Sequence, residues 1–367
     1  MAIPFGYLIT VGIVAAGTYC ALVAPARPRF LWPVTYRLGV LVSQVPFLVG
    51  YLLAGATAQT FAEGGIRGPV GWAAVGAAAV TVVGLAAVVR RALASGARDL
   101  PWARILFAPF AVRRRGVTRV RNLRYGPHGR RNLLDVYRPA NPTGRTLVYF
   151  HGGGYFSGRK NREARLLLYR LASRGWTCVS ANYRLRPRAT FPDHLADAKK
   201  VIAWAREQGV AQGPVVVAGS SAGGHLATLC ALTPGDPRYQ PGFEDADTSV
   251  DAAVSLYGFY GHYYGDVEDS SPFDHLRPDA PPILLAHGDR DSLVPVAQAR
   301  DLATRLRETS TSRVTYLELP GAHHAFDLFV SIRFAALVHK IEDFLADTVP
   351  VSRSRNVTIS EGVTFRR

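Results

Sequence analysis

Long uncharged apolar runs fill the first quarter of the chain, and short apolar runs separated by polar, helix-periodic stretches fill the rest. Residues 5–24, 38–58 and 70–89 each run about twenty positions without a charge, the length needed to cross a hydrocarbon core of roughly 30 Å. They predict three membrane-spanning helices. A cleaved signal peptide would need a basic flank, and residues 1–6 carry no basic side chain. A buried hairpin is the alternative for the other two runs, and Gln44 and Pro46 interrupt the second. From residue 132 the period changes. Strand-like runs at 133–137, 146–150, 177–182, 215–219, 252–256, 283–287 and 314–319 alternate with helical patterns such as 163–173 and 195–207. A final helix is expected over 328–345, followed by a polar tail from 349. Such alternation predicts an α/β fold with a mostly parallel central sheet covered on both faces. Four segments result: a membrane anchor at 1–89, a basic juxtamembrane segment at 90–131, a catalytic domain at 132–346 and a polar tail at 347–367.

Charge sharpens that division. Between Arg90 and Arg131 stand twelve arginines against the single acid Asp99, so this stretch carries +11 of the chain's net +16. Trp102, Ile105, Leu106, Phe107 and Phe110 lie among them, which fits an interfacial segment against anionic lipid better than a nucleic-acid surface. From Asn132 onward, 27 basic and 25 acidic residues nearly cancel, so nothing there calls for a polyanionic substrate. Three cysteines, Cys20, Cys178 and Cys230, all in apolar surroundings, make no disulfide framework. Asn356-Val357-Thr358 matches a glycosylation acceptor too short and common to assign.

The chemistry concentrates at Gly219-Ser220-Ser221-Ala222-Gly223, which follows an apolar strand and precedes a helical stretch. That context is a nucleophile elbow, a strand-to-helix turn that exposes the central Ser221 and admits only small neighbours. Upstream, His151-Gly152-Gly153-Gly154 directly follows another strand and resembles the oxyanion loop of lipases and esterases. Gly153 and Gly154 are the expected N–H donors, with Ala222 as the third, and Gly152 shapes the turn. A serine nucleophile needs a base and the base an orienting carboxylate, in the chain order serine, acid, histidine. Just past the strand at 283–287 comes Asp291, with Asp289 as the alternative that would instead cap a turn. After the last strand comes His324, with His323 as its competitor. The aromatic cluster Tyr257, Phe259, Tyr260, Tyr263 and Tyr264 follows a strand on the same side and either lines a pocket or packs beneath a cap.

Together these four segments resemble the hormone-sensitive-lipase branch of the α/β-hydrolases. Asn182-Tyr183-Arg184-Leu185-Arg186-Pro187, Phe191-Pro192 and Asp197 are similar to a further element of that branch. More narrowly, residues 232–237 and 240–247 look like the actinobacterial membrane-anchored Lip-series carboxylesterases. The resemblance covers roughly residues 132–346 and implies an α/β-hydrolase fold and ester hydrolysis. Two departures stand out. Ser220 replaces the aspartate common before the nucleophile, and Ala325 the glycine common after the histidine.

The expected activity is that of a membrane-anchored serine carboxylesterase or lipase acting on small-molecule or lipid esters through Ser221, Asp291 and His324. An amidase or deacetylase would use the same triad, and a catalytically silent ligand-binding fold is the third possibility. No H-E-x-x-H, C-x-x-C or phosphate-loop motif is present, so no metal or cofactor is expected. Membrane lipid is the expected partner and nucleic acid is not. Arginines at 27, 29 and 37, and again from 90, flank the first and third runs, whereas only Arg67 lies in the second connection. Basic flanks are retained in the cytoplasm, so three spans predict an external N-terminus and a cytoplasmic catalytic domain.

Overall fold

Proline 46 breaks the second apolar run. A proline disfavours helical geometry in the residue before it and cannot donate to a helix. Accordingly Val45 leaves the helix (φ −125°, ψ 50°), ending α2 (Trp32–Gln44) and starting α3 (Pro46–Ala62) with Pro46 in its first turn. The two helices meet at 96°. The expected single span at 38–58 is therefore corrected to two helices, of which only the second carries no charged residue. The runs on either side form continuous helices, α1 (Phe5–Val23) and α4 (Gly68–Leu93), each long and apolar enough to cross a bilayer. The structure is a computed structural model describing residues 5–25, 30–96, 98–264 and 267–349. Arg27, Arg29 and the Asn356 acceptor lie outside these.

The described residues form two compact units. One runs to Ala111 and also takes in Gly288–Leu293 and Leu319–Leu337. Its helices pack closely where glycines allow. A Cβ on Gly84 would lie 2.7 Å from Thr18 Cγ2, and one on Gly17 would lie 2.9 Å from Val42 Cγ2. At the other end of α1, Thr57 Oγ1 of α3 donates to Tyr7 Oη at 3.2 Å. The outward faces are apolar too, with Ile9 61% and Val80 73% exposed. A helix that is hydrophobic all round is suited to lipid rather than water. A short α5 (Trp102–Phe107) follows.

The second unit comprises Val112–His287 and Val294–Glu318, with the chain from Val338 on. Eight strands make one sheet in the order β1-β2-β4-β3-β5-β6-β7-β8: β1 (Val117–Arg124), β2 (Leu133–Pro139), β3 (Thr146–Phe150), β4 (Thr177–Ala181), β5 (Val215–Ser220), β6 (Ala252–Leu256), β7 (Ile283–Gly288) and β8 (Val314–Leu319). From β4 through β7 neighbours pair in parallel, whereas β1 and β2 run antiparallel at one edge. Strands β3, β5, β6 and β7 are buried along their whole length, as expected of a parallel sheet covered on both faces. The helices are α6 (Arg165–Ala172), α7 (Asp193–Glu207), α8 (Ala222–Leu232), α9 (Val296–Thr309) and α10 (Ile332–Thr348).

Strand β1 is the element that hydropathy missed. Its sequence, VTRVRNLR, reads as part of the basic stretch, but Arg119 pairs with the fully buried Asp135 of β2, which also receives Lys160 Nζ at 2.7 Å. Part of the charge assigned to a lipid-facing segment thus belongs to a sheet edge. Burial pushes the Asp135 carboxyl up, but Lys160, the Asn122 N–H and Arg119 together hold it below the ordinary range.

Candidate active site

At the end of β5 the backbone turns into α8 through Ser221, whose φ of 54° and ψ of −119° lie in a region that costs a side-chain-bearing residue about 1–3 kcal/mol. Glycines make the turn possible. A Cβ on Gly219 would collide with the Gly223 carbonyl oxygen, and one on Gly223 with the carbonyl oxygen of Phe150 at the end of β3. That close approach brings the loop after β3 to the serine. A Cβ on Gly152 would lie 2.9 Å from Ser220 O and 3.0 Å from Ser221 Cβ.

The loop itself is held open by its own chemistry. Gly153 (φ 113°) and Gly154 (φ 58°) take left-handed conformations. The Gly153 carbonyl accepts the N–H groups of Phe156 and Ser157, and the Gly152 N–H donates to Glu163 Oε2 at 2.5 Å. No acceptor among the described residues takes the N–H of Gly153, Gly154 or Ala222, while the Ser221 N–H is used by Leu256 O. Beneath the elbow, Tyr155 donates to Ala222 O at 3.2 Å, and its hydroxyl lies 2.5 Å from His225 Nδ1. Tyr149 donates to Ser220 Oγ at 2.8 Å, so the residue that departs from the family pattern is occupied within the core.

Asp291 and His324 come together in the other unit. His324 Nδ1 lies 2.6 Å from Asp291 Oδ2, with both side chains nearly or fully buried. The second carboxylate oxygen accepts the Leu293 N–H at 2.9 Å, which fixes the acid's orientation. A carboxylate at Nδ1 favours the tautomer that leaves Nε2 as an acceptor. Their neighbours do other work. Asp289 accepts the Gly321 N–H at 2.7 Å and closes a turn, and His323 Nε2 lies 3.0 Å from the carbonyl oxygen of Ala21 in α1. Ala325, after the histidine, has φ 56°.

Three further histidines are buried scaffold groups. Burial lowers His151 to about 4, His194 to about 4 and His225 to about 3, so each is neutral near pH 7. The aromatic cluster divides. Tyr257, Tyr260 and Tyr263 are core residues, whereas Tyr264 is half exposed and donates to the Gly154 carbonyl at 2.9 Å. The Arg186 guanidinium lies over the Tyr264 ring at 4.6 Å and the Phe156 ring at 4.9 Å. Neither Glu163 nor the separate role of Tyr264 carried a sequence signal, since both contacts depend on the folded loop. Among the described residues no group of histidines, cysteines and carboxylates could hold a metal.

The family model BD-FAE matches residues 134–262. In Mycobacterium tuberculosis the chain is similar to the probable carboxylic ester hydrolase LipM (42% identity over 260 residues, covering 62% of this chain and 60% of LipM). Esterase LipC matches at 39% identity over 280 residues, covering 67% of this chain and 68% of LipC. The matched stretch thus spans about three fifths of LipM. Among solved structures, the apo form of Thermogutta terrifontis esterase 2 superposes with a TM-score of 0.55 at 25% identity, covering 65% of this chain and 97% of that one. A truncated carbohydrate esterase from gut microbiota gives a TM-score of 0.54 at 20% identity, covering 62% of this chain and 96% of that one, a likeness of fold alone.

Proposed function

Because the chain belongs to the hormone-sensitive-lipase branch of the α/β-hydrolases, the group that includes LipC, we propose that it is a membrane-anchored serine carboxylesterase. In this reading His324 Nε2 takes the proton of Ser221 as Oγ attacks the ester carbonyl, while Asp291 stabilises the imidazolium that forms. The N–H groups of Gly153, Gly154 and Ala222 receive the oxyanion. The C–O bond to the alcohol then breaks, with His324 returning its proton to the leaving oxygen. Water repeats the attack on the acyl-enzyme and releases the carboxylic acid. The observation that carries the reading is the strained Ser221 beside a glycine loop in which the N–H groups of Gly153 and Gly154 have no protein acceptor among the described residues. The Asp291–His324 pair supports it from the other unit. Small-molecule or lipid esters are the proposed substrates, and membrane lipid the proposed partner.

The test uses the full chain in detergent, with p-nitrophenyl esters of rising acyl length, one acetanilide amide and a fluorophosphonate label. Wild type hydrolyses the esters and is labelled, and Ser221→Ala loses at least about 10⁴-fold in rate together with the label. A wild-type protein inert to both would overturn the reading in favour of a silent fold. Faster turnover of the acetanilide would move it to an amidase.

The anchor is proposed to cross the membrane three times, through α1, α3 and α4. With 17 residues, α3 spans about 25 Å, at the short end of what a bilayer needs. Chain direction supports the count. The C-terminal ends of α1 and α4 both meet the 319–333 segment: Ala21 O contacts His323, and Val88 O accepts from Arg333. Two helices ending on the same side require a return between them, and α3 is the element available. Three crossings put the basic flanks and the catalytic domain in the cytoplasm. Alkaline phosphatase fused after Arg115 is then inactive, and an active fusion would invert the orientation.

A further inference from the structure

The helices that would hold this protein to a membrane also grip the residues on both sides of its acid–base pair. His323, just before the proposed base, is 2% exposed, with Nε2 at 3.0 Å from the Ala21 carbonyl of α1. Burial pushes its imidazole below the ordinary range, so it is neutral, and facing a carbonyl it carries its single N–H on Nε2. Ala325, just after the base, is seized from the other direction. Its carbonyl accepts the side-chain amide of Gln44 at 2.9 Å, and Gln44 is the buried last residue of α2, where the chain bends. Beside the acid, Trp32 Nε1 at the start of α2 donates to Ser292 Oγ at 3.3 Å. Behind both loops the buried Arg333 donates to Pro320 O, to Ser43 O of α2 and to Val88 O of α4.

The need for such a grip follows from Ala325. An alanine at φ 56° stays in the left-handed region only where its surroundings over-determine it. The preceding peptide sets the direction of the His324 side chain, so freedom at 323 or 325 becomes misalignment of the base. A displacement of about 1 Å in a catalytic group can cost about 10²-fold in rate. Gly39 shows how closely helix and loop approach, because a Cβ there would lie 3.0 Å from His323 Cε1.

We propose that the N-terminal helices are part of the catalytic scaffold, with Gln44 and His323 as positioning residues that fix His324 through the peptides on either side of it. The proposal rests on His324 being the base, and the experiment separates the two. Gln44→Met, His323→Phe, His323→Gln and His324→Ala are made in the full chain and assayed in one detergent for kcat, KM and thermal melting. Gln44→Met and His323→Phe each lower kcat at least about tenfold, with KM within about twofold of wild type. His323→Gln keeps at least half the activity, because its amide N–H reaches the same carbonyl; rescue of this kind fits a positioning donor and not a base. Should Gln44→Met fail to fold, the His323→Phe and His323→Gln pair decides the matter alone. Wild-type kcat in Gln44→Met and His323→Phe, with His324→Ala inactive, overturns the positioning role and leaves the triad intact. An active His324→Ala with an inactive His323→Gln would instead overturn the assignment of the base.

Discussion

Ser221 and His324 are fixed by opposite means. Around Ser221 the constraints are backbone against backbone: Gly223 against Phe150, Gly219 against Gly223, and Gly152 against Ser220. They lie at the ends of β3 and β5, strands buried along their length and paired residue for residue. Around His324 the constraints are side chains reaching from far along the sequence, Gln44 to Ala325 and His323 to Ala21. The first arrangement is built from backbone at the ends of neighbouring strands. The second rests on individual side chains of the N-terminal helices and the loop, each of which a single substitution removes.

The largest expected effects test whether the loops after β7 and β8 are as functionally divided as their hydrogen bonds. Asp291→Asn puts an amide opposite His324 Nδ1 and favours the wrong tautomer, and the expected loss in kcat is about 10⁴-fold. Asp289→Asn keeps an acceptor for the Gly321 N–H, so its activity stays within about tenfold of wild type. Steady-state hydrolysis of a p-nitrophenyl ester by both variants is the measurement. A reversed ranking would exchange the roles of the two acids.

The same contrast explains what the sequence made legible. The elbow, the glycine loop and seven of the eight strands are local patterns, because a buried parallel strand is a short apolar run and an elbow needs small residues at fixed spacing. Asp291 is preferred to Asp289, and His324 to His323, by their place after the strands, whereas the contacts with Gly321, Leu293 and Ala21 that distinguish their surroundings are encoded by no local pattern. Strand β1 was hidden because an exposed edge strand carries arginines, and its one buried partner, Asp135, sits on another strand. The break at Pro46 was visible in sequence as an interruption. Its size of 96° was not.

A smaller effect, specific to the sheet unit, is its response to acid. His151, His194 and His225 have folded-state values of about 4, 4 and 3, below the ordinary 6.5 of an unfolded chain. The unfolded state therefore binds more protons, and the stability these groups allow is fully present above pH 6.5 and lost as pH falls toward 4. At pH 5.5 each costs between about 1 and 2 kcal/mol, and the three together about 4 kcal/mol. Thermal melting should drop steadily between pH 7 and 5 in wild type, and less steeply in His225→Asn. An unchanged melting temperature across that range would mean that the three histidines are not buried as neutral groups.

The smallest effect tests the comparison most directly. Tyr264 donates to the Gly154 carbonyl, a side-chain tie to the glycine loop that parallels the tie of Gln44 to Ala325. Their surroundings differ, because Tyr264 is 49% exposed and Gln44 only 4%. When Tyr264→Phe removes the hydroxyl, water can take its place at the exposed carbonyl, so little free energy is lost. Gly153 and Gly154 also keep their conformation through the turn closed by Phe156 and Ser157. The expected loss is about two- to fivefold in kcat with unchanged melting, smaller than for Gln44→Met. If Tyr264→Phe proved the more damaging of the two, the glycine loop would depend on side-chain support as much as the proposed base does, and the distinction between a backbone-built Ser221 and a side-chain-held His324 would fail.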